Sequence, residues 1–495
     1  MTRALISLAA WGLASVAAAQ VPPPSRVPLP PLPEMGRVDV GGGEPLTLGQ
    51  VLSSVERHHP AIEGARQELA AAEGERFAAE GGFDTTLSGQ AWMAPAGYYQ
   101  WGRAHATLSQ PTPLWGATFY GGWRFGRPFD ADEGSDPGIP SYYRNYETLD
   151  GGELRAGVRV PLWRDGPIDG RRRRLWAAEH YRDAYAQYLE VRRLYVGYEA
   201  ASAYWYWAAA GRKYRVAAEL LDLAEARDAQ IRAQVAAGAY PAIEALENRR
   251  VILARRRDLV TARRALEQAA IALSLYVRDR SGEPIVPSAA RVPGEIPLPA
   301  PAPPPLADAV QRASRRHPIV QRYEALQRRQ QVYVDYAENR FSPRVDVQLE
   351  ASVDLGDGND RQRSTYEDPV VEGSVLLEIP LQFRDARGGI QRERADLAAL
   401  REEARLARDQ IAQSVRDAHS ALVAAHDGLA LAQEAADVAT AVARAERTRF
   451  ELGATQLLIV NLREQYAAEA QKYLAEARAE LQIAHARWRA VVPPE

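Results

Sequence analysis

The sequence predicts an α+β protein of the cell envelope, built from long antiparallel coiled-coil helices and amphipathic β-strands. Three observations carry that prediction. The chain opens on an export signal, its remainder repeats one plan twice, and its hydrophobic period switches between that of a helix and that of a strand.

Residues 1–19 read as a signal peptide. Arg3 supplies the positive n-region, residues 4–16 the short apolar stretch, and Ala17-Ala18-Ala19 a small-residue cleavage site before Gln20. The apolar stretch falls short of the roughly 20 residues of a spanning helix. Removing it takes the formal charge from −3 to −4, because it holds one Arg and no acid. The near balance of 61 basic and 64 acidic residues argues against a nucleic-acid partner, whose footprint is a basic excess. There is no cysteine, which excludes disulfides, thiolate metal sites, cysteine catalysis and acylation of an N-terminal cysteine. No later segment carries an apolar run long enough for a transmembrane helix. For an exported protein, a closed β-barrel is then the physical route through a membrane.

Residues 20–45 form a proline-rich tether expected to lack regular structure. The first repeat occupies residues 46–277, with a β segment at 83–161 and long helices at 168–236 and 240–277. The proline-rich stretch 278–305 links it to the second repeat at 306–491, with a β segment at 343–381 and long helices at 389–452 and 455–491. His59-Pro60 matches His317-Pro318, Pro161-Leu162 matches Pro380-Leu381, and Gly238 matches Gly453. From that glycine onward the offset is a constant 215, so Leu259, Leu266 and Leu273 fall on Leu474, Leu481 and Trp488.

The helices declare themselves by alternating steps of four and three. Ile411, Val415, Ala418, Leu422, Ala425, Leu429, Ala432, Ala436, Ala439 and Ala443 form one seam, and Ala467 through Val491 another. Seams joined at a glycine turn predict an antiparallel coiled coil. At 1.5 Å per residue the longer helix of each pair spans about 100 Å. The strands declare themselves by alternation. Val345, Val347, Leu349, Ala351 and Val353 share one face, while Asp346, Gln348, Glu350 and Ser352 share the other, as in a membrane barrel strand, a pattern any half-exposed hairpin would share. Residues 84–93, 101–110, 116–126 and 152–161 read as strands of the first repeat. Trp92, Tyr98, Tyr99, Trp101, Trp115, Tyr120 and Trp123 cluster there and suit an aromatic girdle at the membrane interfaces; packing inside long loops is the alternative.

The duplicated order, the Pro-Leu pair closing each β segment, the glycine turns and the tip stretches 238–244 and 453–459 together resemble the TolC-type outer-membrane efflux proteins, over about residues 46–491. The resemblance implies a homotrimer. Its subunits share one β-barrel in the outer membrane and one α-barrel across the periplasm. The tips at Gly238 and Gly453 would meet a periplasmic adaptor (membrane fusion protein), with an RND or ABC pump in the inner membrane. The implied activity is that of a passive exit duct for efflux or type I secretion. A periplasmic adaptor would instead carry one hairpin flanked by compact β-domains, and a structural coiled-coil protein would leave the alternating strands without a purpose.

Two departures from the family stand out. Its members usually contribute four strands per subunit, whereas the first repeat here carries an extra hairpin, expected either to join the barrel or, as the preferred reading, to extend above it. Its acidic aperture residues at the second tip are replaced by Ile459 and Leu462. The corresponding steps after Gly238 reach Glu244 and Glu247, which are therefore the candidate charges of the periplasmic aperture, with Asn461 nearby; a solvated helix face is the plainer reading. The basic run Arg171–Arg174 is read as a solvated face or as inter-subunit ion pairs, with contact to phosphate-bearing lipid or peptidoglycan as the alternative. The eight histidines are dispersed without metal-ligand spacing, and hydrolase, phosphate-loop and dinucleotide fingerprints are absent. No catalytic residue, metal or cofactor is expected.

Overall fold

The computed structural model describes residues 36–96, 100–128, 147–298, 305–358 and 360–493, without the side chains of 360–362. The signal peptide, residues 20–35 of the tether, and Tyr98 and Tyr99 lie outside the described residues. The first repeat runs α1 (Leu48–His58), α2 (Pro60–Glu80), β1 (Thr86–Ala94), β2 (Trp101–Pro111), β3 (Thr118–Pro128), β4 (Gly152–Pro161), α3 (Gly170–Ala236) and α4 (Ala242–Ser274). The second runs α5 (Leu306–Arg316), α6 (Pro318–Asn339), β5 (Arg344–Leu355), α7 (Asp360–Tyr366), β6 (Val370–Glu378), α8 (Arg384–Glu451) and α9 (Leu457–Val491).

Local chemistry sets the helix starts. Thr47 and Gln50 close a reciprocal capping box at the head of α1. At the restart into α2 the His59 ring nitrogen Nδ1 accepts from the Ala61 amide at 3.3 Å, with Pro60 in the first turn. The second repeat does the same: His317 Nδ1 accepts from the Ile319 amide at 3.2 Å, ahead of α6. Proline lacks the N–H that a first turn would leave orphaned, so the His-Pro pair both ends one helix and begins the next.

The four long helices form two antiparallel hairpins, α3 with α4 and α8 with α9, and α3 also packs on α2, α6 and α9. The seam residues Ile411, Val415, Ala418 and Leu422 of α8 are buried with Leu481, Ala484 and Trp488 of α9 and with Ala309 and Ala313 of α5. The end of α4 abuts the α1–α2 joint, where the rings of Tyr276 and His59 stack at 5.7 Å. Among the described residues no helix is long and apolar enough to cross a membrane.

The proline-rich segments are not idle spacers. Residues 36–45 lack helix or strand, yet Gly41 and Gly43 donate to the carbonyls of Ala289 and Ala290, and the Val38 amide donates to Tyr214 Oη at 2.9 Å. Val292 and Ile296 of the linker are buried against α3 in one core with Trp207 and Leu221. Glycine at 211 permits this contact, since a Cβ there would collide with the Val292 side chain. The described parts of the two segments thus pack on each other and on α3.

All six strands make one antiparallel sheet in the order β1-β2-β3-β4-β5-β6. The expectation that the extra hairpin extends above the other strands is corrected. β2 pairs with β3 along its full length and with β1 from Trp101 to Ser109, and β3 pairs with β4 from Thr118↔Arg159 to Arg124↔Glu153. The reason is an anchor at the stem end of the hairpin. Its turn is closed by the Thr112 amide donating to the Ala117 carbonyl, and at Gly116 a Cβ would come within 2.7 Å of the Asp165 carbonyl oxygen. The turn therefore abuts the β4–α3 junction rather than rising away from it.

Candidate functional site

The sheet is two-faced throughout. Residues directly opposite in an antiparallel pair point to the same side, so the register can be followed from strand to strand. Leu87, Leu108, Gly121, Ala156, Leu349 and Val375 belong to one face, joined by Trp123, Leu154, Val353, Val345 and Leu377. The charge that the strands place on that side is Arg127, at the loop end of β3, where Asp150 pairs with it at 3.0 Å. The opposite face carries Arg103, Arg124, Arg155, Arg159 and Arg344 against Glu153, Asp346, Glu350, Asp354, Glu372 and Glu378.

Several charges of the polar face are engaged with one another. Arg124 pairs with Glu153, Arg344 with Asp346 at 2.8 Å and Glu378 at 3.6 Å, and Arg155 approaches Glu350 at 3.7 Å. Tyr120 Oη donates to Glu350 Oε2 at 2.5 Å and accepts from Gln348 Nε2 at 2.6 Å. Such cross-strand networks fix the register of a sheet whose faces no helix covers among the described residues.

The aromatic girdle is corrected by this register. Trp92, Trp101 and Tyr120 lie on the polar face: the Arg103 guanidinium stands 4.0 Å over the Trp92 ring and 5.0 Å from that of Trp101. A cation over an aromatic face gains from the ring quadrupole, which draws both indoles to the charged side. Trp115 is in the β2–β3 turn, where its indole closes on Gly166. Of the five girdle candidates among the described residues only Trp123 joins the apolar face, and its indole N–H donates to the Gly151 carbonyl at 2.8 Å.

Between sheet and stem, the basic run resolves into distinct roles. Arg172 is buried and acts as a staple: it donates to Asp165 O at 2.6 Å, Gly166 O at 2.7 Å, Pro167 O at 3.1 Å and Asp169 Oδ1 at 3.2 Å. Asp169 in turn caps α3 through the Arg172 amide at 2.8 Å. Arg173 lies 4.6 Å from the Tyr336 ring of α6.

At the far end, α3 and α8 close with the same turn. Gly238 (φ 76°) and Gly453 (φ 73°) take the left-handed conformation, while the amides of Ala239 and Ala454 reach back to the carbonyls of Gln234 and Arg449 at 2.9 and 2.8 Å. This is the Schellman arrangement, in which glycine avoids the penalty a Cβ would bring. Glu244 lies half-buried in the first turn of α4. Glu247 is one turn further and is bound by Arg250 at 2.6 Å, whose hydrogen bond holds its carboxyl below the usual range.

Asn461 does not join them. It is buried, its side-chain carbonyl accepting from Arg227 at 3.1 Å, because it belongs to an ionic node inside the tip. The centre of that node is Glu464 of α9, buried and held by Arg227 of α3 at 2.6 Å, Arg255 of α4 at 3.3 Å and Arg447 of α8 at 3.1 Å. Burial alone would raise the Glu464 carboxyl, but the three guanidiniums outweigh it and hold it low. All four long helices thus meet at one carboxylate. The signal for it was a glutamate on the otherwise apolar or small stripe Leu457, Val460, Glu464, Ala468 and Ala475, which faces a second helix rather than solvent.

No protein-family model matches this chain, and no curated protein sequence does. Solved structures do. The outer-membrane channel OprN is similar at a TM-score of 0.58 and 15% identity, over 90% of this chain and 89% of that one. The Campylobacter jejuni CmeC outer membrane channel is similar at 0.58 and 12%, over 94% and 93%. The open state of the Neisseria gonorrhoeae MtrE outer membrane channel is similar at 0.58 and 15%, over 92% and 91%. At these identities the likeness is one of fold.

Proposed function

We propose that this chain, folded as those outer-membrane channels are, is itself a channel of the TolC type: the passive exit duct of an efflux or type I secretion machine in a Gram-negative-type envelope. The observation that carries the reading is a sheet with one apolar and one charged face, set on helices of 67 and 68 residues. An apolar face that no helix covers among the described residues is suited to lipid, and a charged face behind it to an aqueous lumen. Helices of that length reach about 100 Å, the scale of a wide aqueous compartment rather than of a globular core.

In this reading three copies assemble so that their sheets close into one barrel and their helices into a stem across the periplasm. The barrel holds the protein in the membrane. The turns at Gly238 and Gly453 are the surfaces for a periplasmic adaptor, behind which an RND or ABC pump drives transport. Glu244 and Glu247 line the aperture and favour cations.

Cryo-electron microscopy of the detergent-extracted protein tests the whole proposal. A threefold tube with a helical stem of about 100 Å is the expected result. A water-soluble monomer without a barrel would return the chain to a structural coiled-coil role.

A further inference from the structure

We propose that every subunit gives all six strands to the barrel, so that three copies close a ring of eighteen staves, with β6 of one copy seated on β1 of the next. The proposal rests on the trimeric duct above and goes beyond it in the number of strands and the width of the lumen.

Four observations carry it. First, β1 and β4 are separated by β2 and β3, which are paired without interruption; a hairpin folded outside the ring would have left β1 and β4 as neighbours. Second, the sidedness of the sheet is unbroken through the hairpin. Ala104, Ala106 and Leu108 of β2 and Phe119, Trp123 and Phe125 of β3 face the apolar side, while Arg103, His105, Tyr120 and Arg124 face the polar side. A hairpin standing in water has no need of an apolar row on the same side as its neighbours, and a one-residue slip would have reversed it. Third, its inner turn is seated on the β4–α3 junction at Asp165, so both strands stand at the same height as the four that connect to helices.

Fourth, the two free edges match. β1 and β6 are nine residues each, and both are exposed along nearly their whole length. β1 leaves the helices and β6 returns to them, so adjacent copies present antiparallel edges. Their central residues, Gln90 and Ser374, both point to the polar side; Leu87 and Met93 share the apolar side with Val371 and Val375. An unpaired strand edge inside lipid leaves each backbone group unsatisfied at a cost of several kcal/mol, and a second copy supplies the complementary edge.

The consequence is a wider outer mouth. Barrel diameter grows roughly in proportion to strand number, so eighteen staves give a lumen about one and a half times as wide as twelve. Restriction of cargo then belongs to the helical tips alone.

The test uses the full-length protein extracted from membranes. Strand counting by cryo-electron microscopy should give eighteen. Because the chain has no cysteine, engineered pairs report placement without background. Ser88→Cys with Thr107→Cys, opposite each other in β1 and β2, should form a disulfide within one chain. Ser374→Cys with Gln90→Cys, scanned also with Ser88→Cys and Trp92→Cys to cover a two-residue shift of register, should link chains into dimers and trimers on a denaturing gel. A ring of twelve staves with β2 and β3 outside it, and no disulfide in the Ser88→Cys/Thr107→Cys variant, overturns this inference and leaves the duct intact. A protein without any barrel overturns the duct itself.

Discussion

Glu464 of α9 accepts a 2.6 Å hydrogen bond from Arg227 of α3, across 237 positions of sequence. With Arg255 and Arg447 on the same carboxylate, the bond ties both hairpins together where their tips meet. Removing one partner of a buried ion pair strands the others, which typically costs about 3–5 kcal/mol. Glu464→Gln is therefore expected to lower the denaturation midpoint and speed hydrogen exchange at residues 220–255 and 447–464. Unchanged exchange there would show that the node does not hold the tips.

Arg172 makes the equivalent tie at the other end. Its donors satisfy three carbonyls of the β4–α3 connection and the Asp169 cap. Arg172→Met should cost more than about 2 kcal/mol, since buried carbonyls left without donors are penalised individually. Arg172→Lys should rescue little, because an ammonium lacks the planar fork that reaches several acceptors at once. Thermal unfolding of the two variants side by side checks this; full rescue by lysine would mean that charge alone matters.

The two His-Pro restarts predict a pH dependence. Both rings accept a backbone N–H through Nδ1, which requires the neutral form. Burial pushes both imidazoles below their ordinary value, aided at His59 by Arg278 and opposed at His317 by a hydrogen bond with the Ala490 backbone. A lowered folded-state pKa means that the unfolded chain takes up protons first. The contribution is whole above about pH 6.5 and is lost as pH falls from there toward the folded-state values. The variant with His59→Asn and His317→Asn keeps a capping acceptor but does not titrate, so its stability should fall less between about pH 7 and 5. Parallel pH profiles for the two proteins would discard this account.

In the proposed duct, Glu244→Gln with Glu247→Gln should reduce cation selectivity in single-channel recordings. Arg250→Ala should act in the opposite direction, by releasing Glu247 from its partner. Identical selectivity in all three proteins would remove these carboxylates from the aperture.

Legibility followed the range of the interaction. The α8 and α9 seams could be read directly, because a coiled-coil stripe is written in steps of three and four along one segment. The alternation of β5 was equally plain, and the fold class with it. The aromatic residues of the first repeat misled because composition does not say which side of a sheet a residue takes. Arg103 shares its face with Trp101 by alternation within β2, but only strand register sets it over Trp92. Asn461 misled for a similar reason: its distance from Gly453 was visible, but not Arg227 waiting on another helix.

What the amino-acid order determined by itself was the set of elements and their periods: two units of long helices, glycine turns at Gly238 and Gly453, and strands with one apolar face. These depend on backbone conformation and on patterns within a few residues. What the tertiary structure alone decided was adjacency: that β2 and β3 lie inside the sheet, that Arg172 gathers the carbonyls of the junction, and that Glu464 collects three arginines from three helices. Such choices are made by packing, where burying one carboxylate obliges distant cations to come to it; a local pattern can mark the buried carboxylate but does not name its partners.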